Sequence, residues 1–345
     1  MTTSAPRTAD PTRWGLARFA VPFSLLALSA TAAGACAAGS DTPSGQGGSG
    51  GSSASGTSSS AGGSGQGGTS FDAGDQDGDL GASCQYVDLL FVIDNSPSMG
   101  PYQEDLAQAF PAFVDAMYDS LPSSVDLHVG ITTTSFFTGS CSESVSNCVS
   151  QASPQEIDDH YTKPTEGSTN VNGEQGRLFA YAGMPFFSAK ISDPDRAPLK
   201  TWFAEAAVAA GETGCSFEMA SAAAGYAAHP ANAAANAGFF RDEDGVLLVV
   251  VLSDEPDKSP EGTQVYKDML TGVKSACGGD ACILTAGLVD PCIETVNNPL
   301  WGFLNAFGEP PIWADLDDPT QYTNVVGDAL AQVVKQTCDE IAVPK

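Results

Sequence analysis

The chain is short of positive charge: 14 Lys and Arg stand against 42 Asp and Glu in 345 residues, a formal net charge of −28. A partner held through its phosphates needs the opposite balance, so nucleic acid is excluded. Histidine is scarcer still, with only His128, His160 and His229, and none lies near a pair of cysteines. No C-x-x-C occurs either, so a structural zinc site lacks its ligand spacing. The strand-and-helix part has no G-x-S-x-G elbow and no glycine-rich phosphate loop after a strand, which argues against a serine hydrolase or a nucleotide enzyme. Apolar runs stop short of the roughly 20 residues that a membrane-crossing helix needs. With 42% hydrophobic and 16% charged residues, the chain is neither a disordered polyelectrolyte nor a multi-span membrane protein.

What is present begins with an export signal over residues 1–35. Arg7, Arg13 and Arg18 precede a nearly uncharged run from Phe19 through Val21, Phe23, Leu25, Leu26 and Leu28, which small residues close at Ala33-Gly34-Ala35. Two processing sites fit: a generic A-x-A cleavage, and a lipobox-like site that places lipid on Cys36. The usual Leu three residues before the cysteine is missing. Lipidation is the preferred reading, because a flexible tether follows Cys36 at once and an exported chain would otherwise carry a free thiol there. The expected location is a lipid anchor at the outer membrane, cell surface or periplasm, or secretion if Cys36 stays unmodified.

Residues 36–83 form a linker. Between Ala37 and Ser70, 12 Gly and 11 Ser make up 23 of 34 positions, Asp41 is the only charge, and nothing can build a core. Its mean span is roughly 30–35 Å, enough to hold a domain clear of lipid head groups. The run DAGDQDGD from Asp72 to Asp79 invites a calcium-loop reading, but Leu80 and Tyr86 stand where Gly and Glu are required. It reads as the solvated acidic end of the linker.

The folded part is expected from Cys84 to Cys338, with 339–345 as a tail. Val87–Ile93 and Val246–Leu252 are near-continuous apolar runs rich in branched residues, as are strands buried on both faces of a parallel sheet. Cys282–Val289 is similar, and Asp126–Thr132 alternates. Helical spacing joins Leu106, Phe110, Phe113, Val114 and Met117 across Pro111, and recurs at Leu330, Val333 and Val334. Phe217–Ala228 and Val265–Ser275 are further helices. Alternating strands and helices predict a Rossmann-like layered α/β domain with a mostly parallel central sheet and helices on both faces. One antiparallel edge strand is placed near Arg177–Tyr181, inside the long segment from Thr133 to Trp202, which is expected to shape partner choice.

Eight cysteines follow Cys36, an even number that reads as disulfides in an exported chain. Cys141–Cys148 and Cys277–Cys282 each close a short loop. Cys84 and Cys338 flank the domain and can clasp it, which leaves Cys215 with Cys292.

The chemistry concentrates where the first strand ends, in Asp94-Asn95-Ser96-Pro97-Ser98. In extended chain, alternate residues project to one side, so a carboxylate and two hydroxyls can converge. Hard oxygen ligands with few carboxylates suit Mg²⁺ or Mn²⁺ better than Ca²⁺. The second buried strand ends likewise, in Ser253-Asp254, and ligand sites of open α/β sheets collect at such carboxyl ends.

On these residues, the chain from about Tyr86 to Val334 resembles the von Willebrand factor type A domain. In that family D-x-S-x-S after the first strand, a Thr from a later loop and an Asp after the fourth strand form a metal-ion-dependent adhesion site. The resemblance implies that Asp94, Ser96, Ser98, Thr213 and Asp254 are metal ligands, with Ser216 as the alternative to Thr213. The stretch Gly211-Glu212-Thr213-Gly214-Cys215 departs from the family's G-G-T-N-T. The resemblance also implies one open coordination position, which a carboxylate of a protein or surface ligand completes. A bridging cation explains how so acidic a chain can bind an acidic group. The expected function is therefore a tethered adhesion or scaffold module, not an enzyme. The alternatives are a structural lipoprotein with a vestigial metal site and, with less support, a metal-dependent hydrolase. Glu255 and Asp257, beside Asp254, read as solvated loop charges, and His128 and His229 as structural or solvent-facing.

Overall fold

The computed structural model describes residues 85–137, 141, 152–167, 173–294 and 298–332. The signal segment, Cys36, the linker, Cys84, Cys148, Cys338 and the tail lie outside the described residues.

The elements run β1 (Tyr86–Ile93), α1 (Gly100–Ser120), β2 (Asp126–Thr133), α2 (Pro154–Asp159), β3 (Phe186–Lys190), α3 (Ala197–Ala209), α4 (Ala220–Ala228), β4 (Gly245–Ser253), α5 (Thr263–Gly272), β5 (Ile283–Val289), α6 (Pro299–Leu304), β6 (Ile312–Asp315) and α7 (Tyr322–Gln332). Six strands form one sheet in the order β3-β2-β1-β4-β5-β6. All neighbours are parallel except β2 and β3. The four predicted strands are present with ends shifted by a residue or so. β1 and β4 are central, which is why both faces of their sequences are apolar.

The sheet separates two cores. Val87, Leu89, Phe91 and Ile93 face α1, α3 and α7, where Phe110 and Phe203 stack face to face and Phe91 meets Phe203 edge-on. Leu90 and Val92 face the opposite layer, together with Leu247, Val249 and Val251 of β4 and the alanines of α4. The helix α4 is buried along almost its whole length because its side chains are small. At Gly225 an added Cβ would meet Tyr266 at 2.9 Å, so the missing side chain lets α4 and α5 pack closely. The helix α1 continues through Pro111, as the spacing across it implies. Among the described residues no helix is long and apolar enough to cross a membrane.

Three expectations change. The antiparallel edge is Phe186–Lys190, which pairs with β2 from Gly130 to Asp126. Arg177–Tyr181 instead leads into a tight reversal closed by a Tyr181–Met184 bridge, with Gly183 at a φ of 78°. Two adjacent phenylalanines at the start of the true edge strand hide its alternation in the sequence. Second, Cys141 is bonded to Cys215, 74 residues away, with a Cα–Cα distance of 5.1 Å. This overturns both Cys141–Cys148 and Cys215–Cys292. The chain leaving β2 passes the loop ahead of α4, and it is proximity in space, not in sequence, that permits a bridge. Cys292 is disulfide-bonded, but not to Cys215. Third, Glu255 and Asp257 are buried, at 9% and 4% exposure, rather than solvated. The expected Cys277–Cys282 bridge is present.

At the amino end of β1 an unforeseen ionic cluster is sealed in. Asp88 and Lys274 are both 0% exposed, with Lys274 Nζ 2.8 Å from Asp88 Oδ2. Arg241 donates from Nε to Asp88 Oδ1 at 2.7 Å and from its backbone N–H to Oδ2 at 2.9 Å. Burial pushes the Lys274 ammonium below its usual pKa, and the Asp88 charge opposes that shift. The cluster ties β1 to the chain before β4 and to the chain after α5. Removing one partner of a buried pair leaves the other charge uncompensated, so Asp88→Asn is expected to cost about 3–5 kcal/mol in urea unfolding. A loss below about 1 kcal/mol would show that the cluster is dispensable.

Candidate functional site

The loop after β1 is built by hydrogen bonds that fold it back over the strand ends. Asp94 continues the sheet, its N–H bonded to Leu252 O at 2.9 Å. Its carboxylate Oδ1 accepts from the Ser96 N–H at 2.9 Å and Oδ2 from the Ser253 hydroxyl at 2.7 Å. Ser96 and Ser98 share a hydrogen bond between hydroxyls at 3.1 Å. Gln103, buried in the first turns of α1, clamps the loop by donating to Asp94 O at 3.0 Å and Gly211 O at 2.9 Å. The site thus gathers Asp94, Ser96 and Ser98 from one loop and brings Ser253 from the end of β4 against them. Asp94 and Ser96 are buried, while Ser98 is exposed.

Asp254 is half-buried next to Ser253, and its Oδ1 is enclosed without a hydrogen-bond partner. Burial pushes the Asp94 carboxyl up to about 7, and the Asp254 charge pushes in the same direction against the Ser96 and Ser253 hydrogen bonds. Burial also raises Asp254, with the Ser98 hydrogen bond working the other way. The Asp254 charge thus disfavours ionisation of Asp94, while the nearby charges of Glu255 and Asp290 add to the rise of Asp254 itself.

The third loop is docked through its glycine. Gly214 donates to Asn95 O at 2.8 Å, and Asn95 Oδ1 accepts from Ser135 Oγ at 2.8 Å. A Cβ on Gly214 would lie 2.8 Å from Asn95 O, so glycine is required for this docking. Thr213 itself is exposed, and Ser216 is half-buried, its carbonyl accepting from Lys258 Nζ at 2.9 Å. Glu218 lies deeper. It is 0% exposed, with Thr134 donating to its Oε2 and Lys258 N donating to its backbone oxygen at 2.6 Å. Its Oε1 has no hydrogen-bond partner. Burial, then the charge of Asp94, raises its pKa well above the ordinary carboxylate range. Composition offered no sign of this: one Glu at a helix start looks like an ordinary first-turn acid.

Lys258, 4% exposed, pairs with Glu255 Oε2 at 2.9 Å and sits 5.6 Å from the Phe217 ring centre. His128 is held by Phe239 O at 2.9 Å, and His229 caps the turn at Ala231, in agreement with structural roles for both. Beside the Asp94 loop opens a groove of about 690 Å³, lined by Asn95, Pro97, Ser135, Phe137, Glu174 and Thr213 among others. Much of its wall comes from the long segment after β2.

The donor set fits a small divalent cation. A buried Asp94 whose pKa the Asp254 charge raises, an orphaned oxygen on Asp254 and two adjacent hydroxyls are oxygen ligands of the kind such an ion takes. Among the described residues no three His, Cys, Asp or Glu side chains cluster as a metal cage, so hydroxyls would have to complete the set.

The strand order and the lone antiparallel edge agree with the layered α/β fold expected from the sequence. No protein-family model matches the chain, and no curated protein sequence matches it. Among solved structures, it is similar to a von Willebrand factor type A protein from Catenulispora acidiphila, at 12% identity and a TM-score of 0.37. It is also similar to the pilus adhesin SpaC from Lactobacillus rhamnosus GG in its open conformation, at 11% identity and a TM-score of 0.38. Each match covers 73% of this chain, but only 43% and 30% of those longer chains.

The Asp94 shift carries a sign. Between its ordinary value of 3.8 and about 7, the native chain holds this proton more tightly than the unfolded chain does. Its contribution to stability is complete below 3.8 and is lost as pH rises through about 7. In chelator, urea unfolding is expected to show stability falling by up to about 1.4 kcal/mol per pH unit across that window. Asp94→Asn is expected to flatten the slope, and an unchanged slope in that variant would assign the effect elsewhere.

Proposed function

We propose that the chain is an exported, lipid-tethered binding module. It takes a divalent cation, Mg²⁺ or Mn²⁺ in preference to Ca²⁺, and through it engages a carboxylate of a protein or surface ligand. The observation that carries this reading is buried Asp94 under the charge of half-buried Asp254 at the adjacent strand end, with the Ser96, Ser98 and Ser253 hydroxyls close by and one Asp254 oxygen without a partner. Burying two carboxylates together is costly, and a cation between them reverses the sign of the interaction.

When bound, the cation would supply a fixed positive charge to which a ligand carboxylate could be drawn. Asp94 and Asp254 would hold it with Ser96 and Ser98, while Gln103 keeps the loop in place by its two bonds to backbone oxygens. The groove beside the loop provides a surface on which a partner can be recognised. Lys258 is already engaged by Glu255 and the Ser216 carbonyl, which supports binding rather than catalysis as the site's task. Cys36 and the Gly/Ser-rich linker would present the module away from a membrane.

Thermal unfolding of the full chain with disulfides intact, in Mg²⁺ or Mn²⁺ against chelator, tests the reading. A cation at 100 times its Kd is expected to add about 2.7 kcal/mol to the wild type and nothing to Asp94→Ala. An equal shift in both, or none in either, would make the loop a feature of the fold only and favour a structural lipoprotein.

A further inference from the structure

The loop before α4 places two candidates near the crevice, and their surroundings differ sharply. Thr213 is exposed, and the loop is docked through its neighbour Gly214. Glu218 is wholly enclosed at the start of the helix. Its position is set by three strand ends at once. Thr134, just past β2, is joined by its N–H to Ile93 O at 3.3 Å and donates its hydroxyl to Glu218 Oε2. Met219 N bonds Thr134 O at 3.3 Å, and Lys258, in the loop after β4, bonds the Glu218 backbone oxygen at 2.6 Å. Glu218 is therefore held between the carboxyl ends of β2, β1 and β4, where Asp94 also follows the end of β1.

An ionised carboxylate in such a place needs a cation or a full set of donors. Glu218 has one donor to Oε2, and Oε1 has no hydrogen-bond partner. The ammonium of the adjoining loop, Lys258 Nζ, is directed to Glu255 Oε2 at 2.9 Å and to Ser216 O at 2.9 Å. Hydrogen bonding inside the protein thus leaves this carboxylate unfinished.

Resting on the reading of the Asp94 crevice as a cation site, we infer that Glu218, and not Thr213, is the residue of the third loop that acts on the bound cation. Among the described residues no three acidic side chains meet as a direct cage, so Glu218 acts beyond the direct ligands, on water that the ion retains. Mg²⁺ and Mn²⁺ keep such waters more readily than they accept all-protein cages. A third carboxylate strengthens attraction for the ion. It also reduces the net positive charge presented to an incoming ligand, so the site is tuned toward holding metal.

Calorimetric titration of the full chain with Mn²⁺ at fixed pH separates the alternatives. Glu218→Gln is expected to weaken the Kd at least tenfold, Thr213→Ala to stay within about twofold, and Asp94→Ala to abolish binding. Glu218→Asp keeps the charge but draws it back by one methylene, and is expected to weaken binding severalfold. It carries the comparison if near-ultraviolet circular dichroism shows the Gln variant misfolded. Wild-type affinity in whichever Glu218 variant folds, or a loss confined to Thr213→Ala, would overturn the assignment of Glu218 while leaving the cation site standing. Absence of Mn²⁺ binding by the wild type would overturn both.

Discussion

Two buried aspartates lie at opposite ends of β1, Asp88 within the strand and Asp94 just past it, and the contrast between them organises the molecule. Asp88, near the strand's amino end, is met by Lys274 and Arg241 at hydrogen-bond distance. Asp94, just past its carboxyl end, is met by a backbone N–H and a serine hydroxyl, with Asp254 and Glu218 adding negative charge nearby. Burial without a compensating cation is expensive for a carboxylate, so the first end is settled within the chain and the second is not. In a protein with only 14 Lys and Arg, placing two of them on Asp88 leaves the opposite pole as a clear deficit. Clusters of this kind, with carboxylates raised by burial and by one another, mark functional sites more often than structural ones.

The fold explains why the deficit falls there. Parallel pairing of β1 with both β2 and β4 brings their carboxyl ends to one edge in register, with Ile93 beside Thr133 and Leu252. Loops that leave those ends then converge without needing proximity in sequence. Asn95 is reached by Ser135 and Gly214, Asp94 by Ser253, and Glu218 by Thr134 and the backbone of Lys258. The Cys141–Cys215 bridge fastens two of these loops together. This cross-linking fixes the groove wall beside the crevice while the sheet fixes its floor.

Much of this was legible in the sequence because burial on both faces leaves a strong trace. The apolar runs at Val87–Ile93 and Val246–Leu252 and the strand-end motifs that follow them located the central strands and the Asp94, Ser96, Ser98 and Asp254 positions. What stayed hidden depends on contacts between distant segments. The edge strand at Phe186–Lys190 is short and half-exposed, so its period is weak. The pairing of Cys141 with Cys215 follows from how two loops cross, which spacing along the chain does not encode. Glu218 is an ordinary residue type at an ordinary helix start, and only its enclosure by Thr134 and the β4 loop distinguishes it. Asp88 reads as a blemish in an apolar run until Lys274, 186 residues away, is brought to it.

Anomalous X-ray scattering from crystals of the protein grown or soaked with Mn²⁺ tests most directly whether the Asp94 crevice is a cation site. One dominant peak is expected beside the Asp94 carboxylate, within ligand distance of the Ser96 and Ser98 hydroxyls and facing Asp254. An unoccupied crevice at saturating Mn²⁺, or a dominant peak at another cluster of carboxylates, would contradict it.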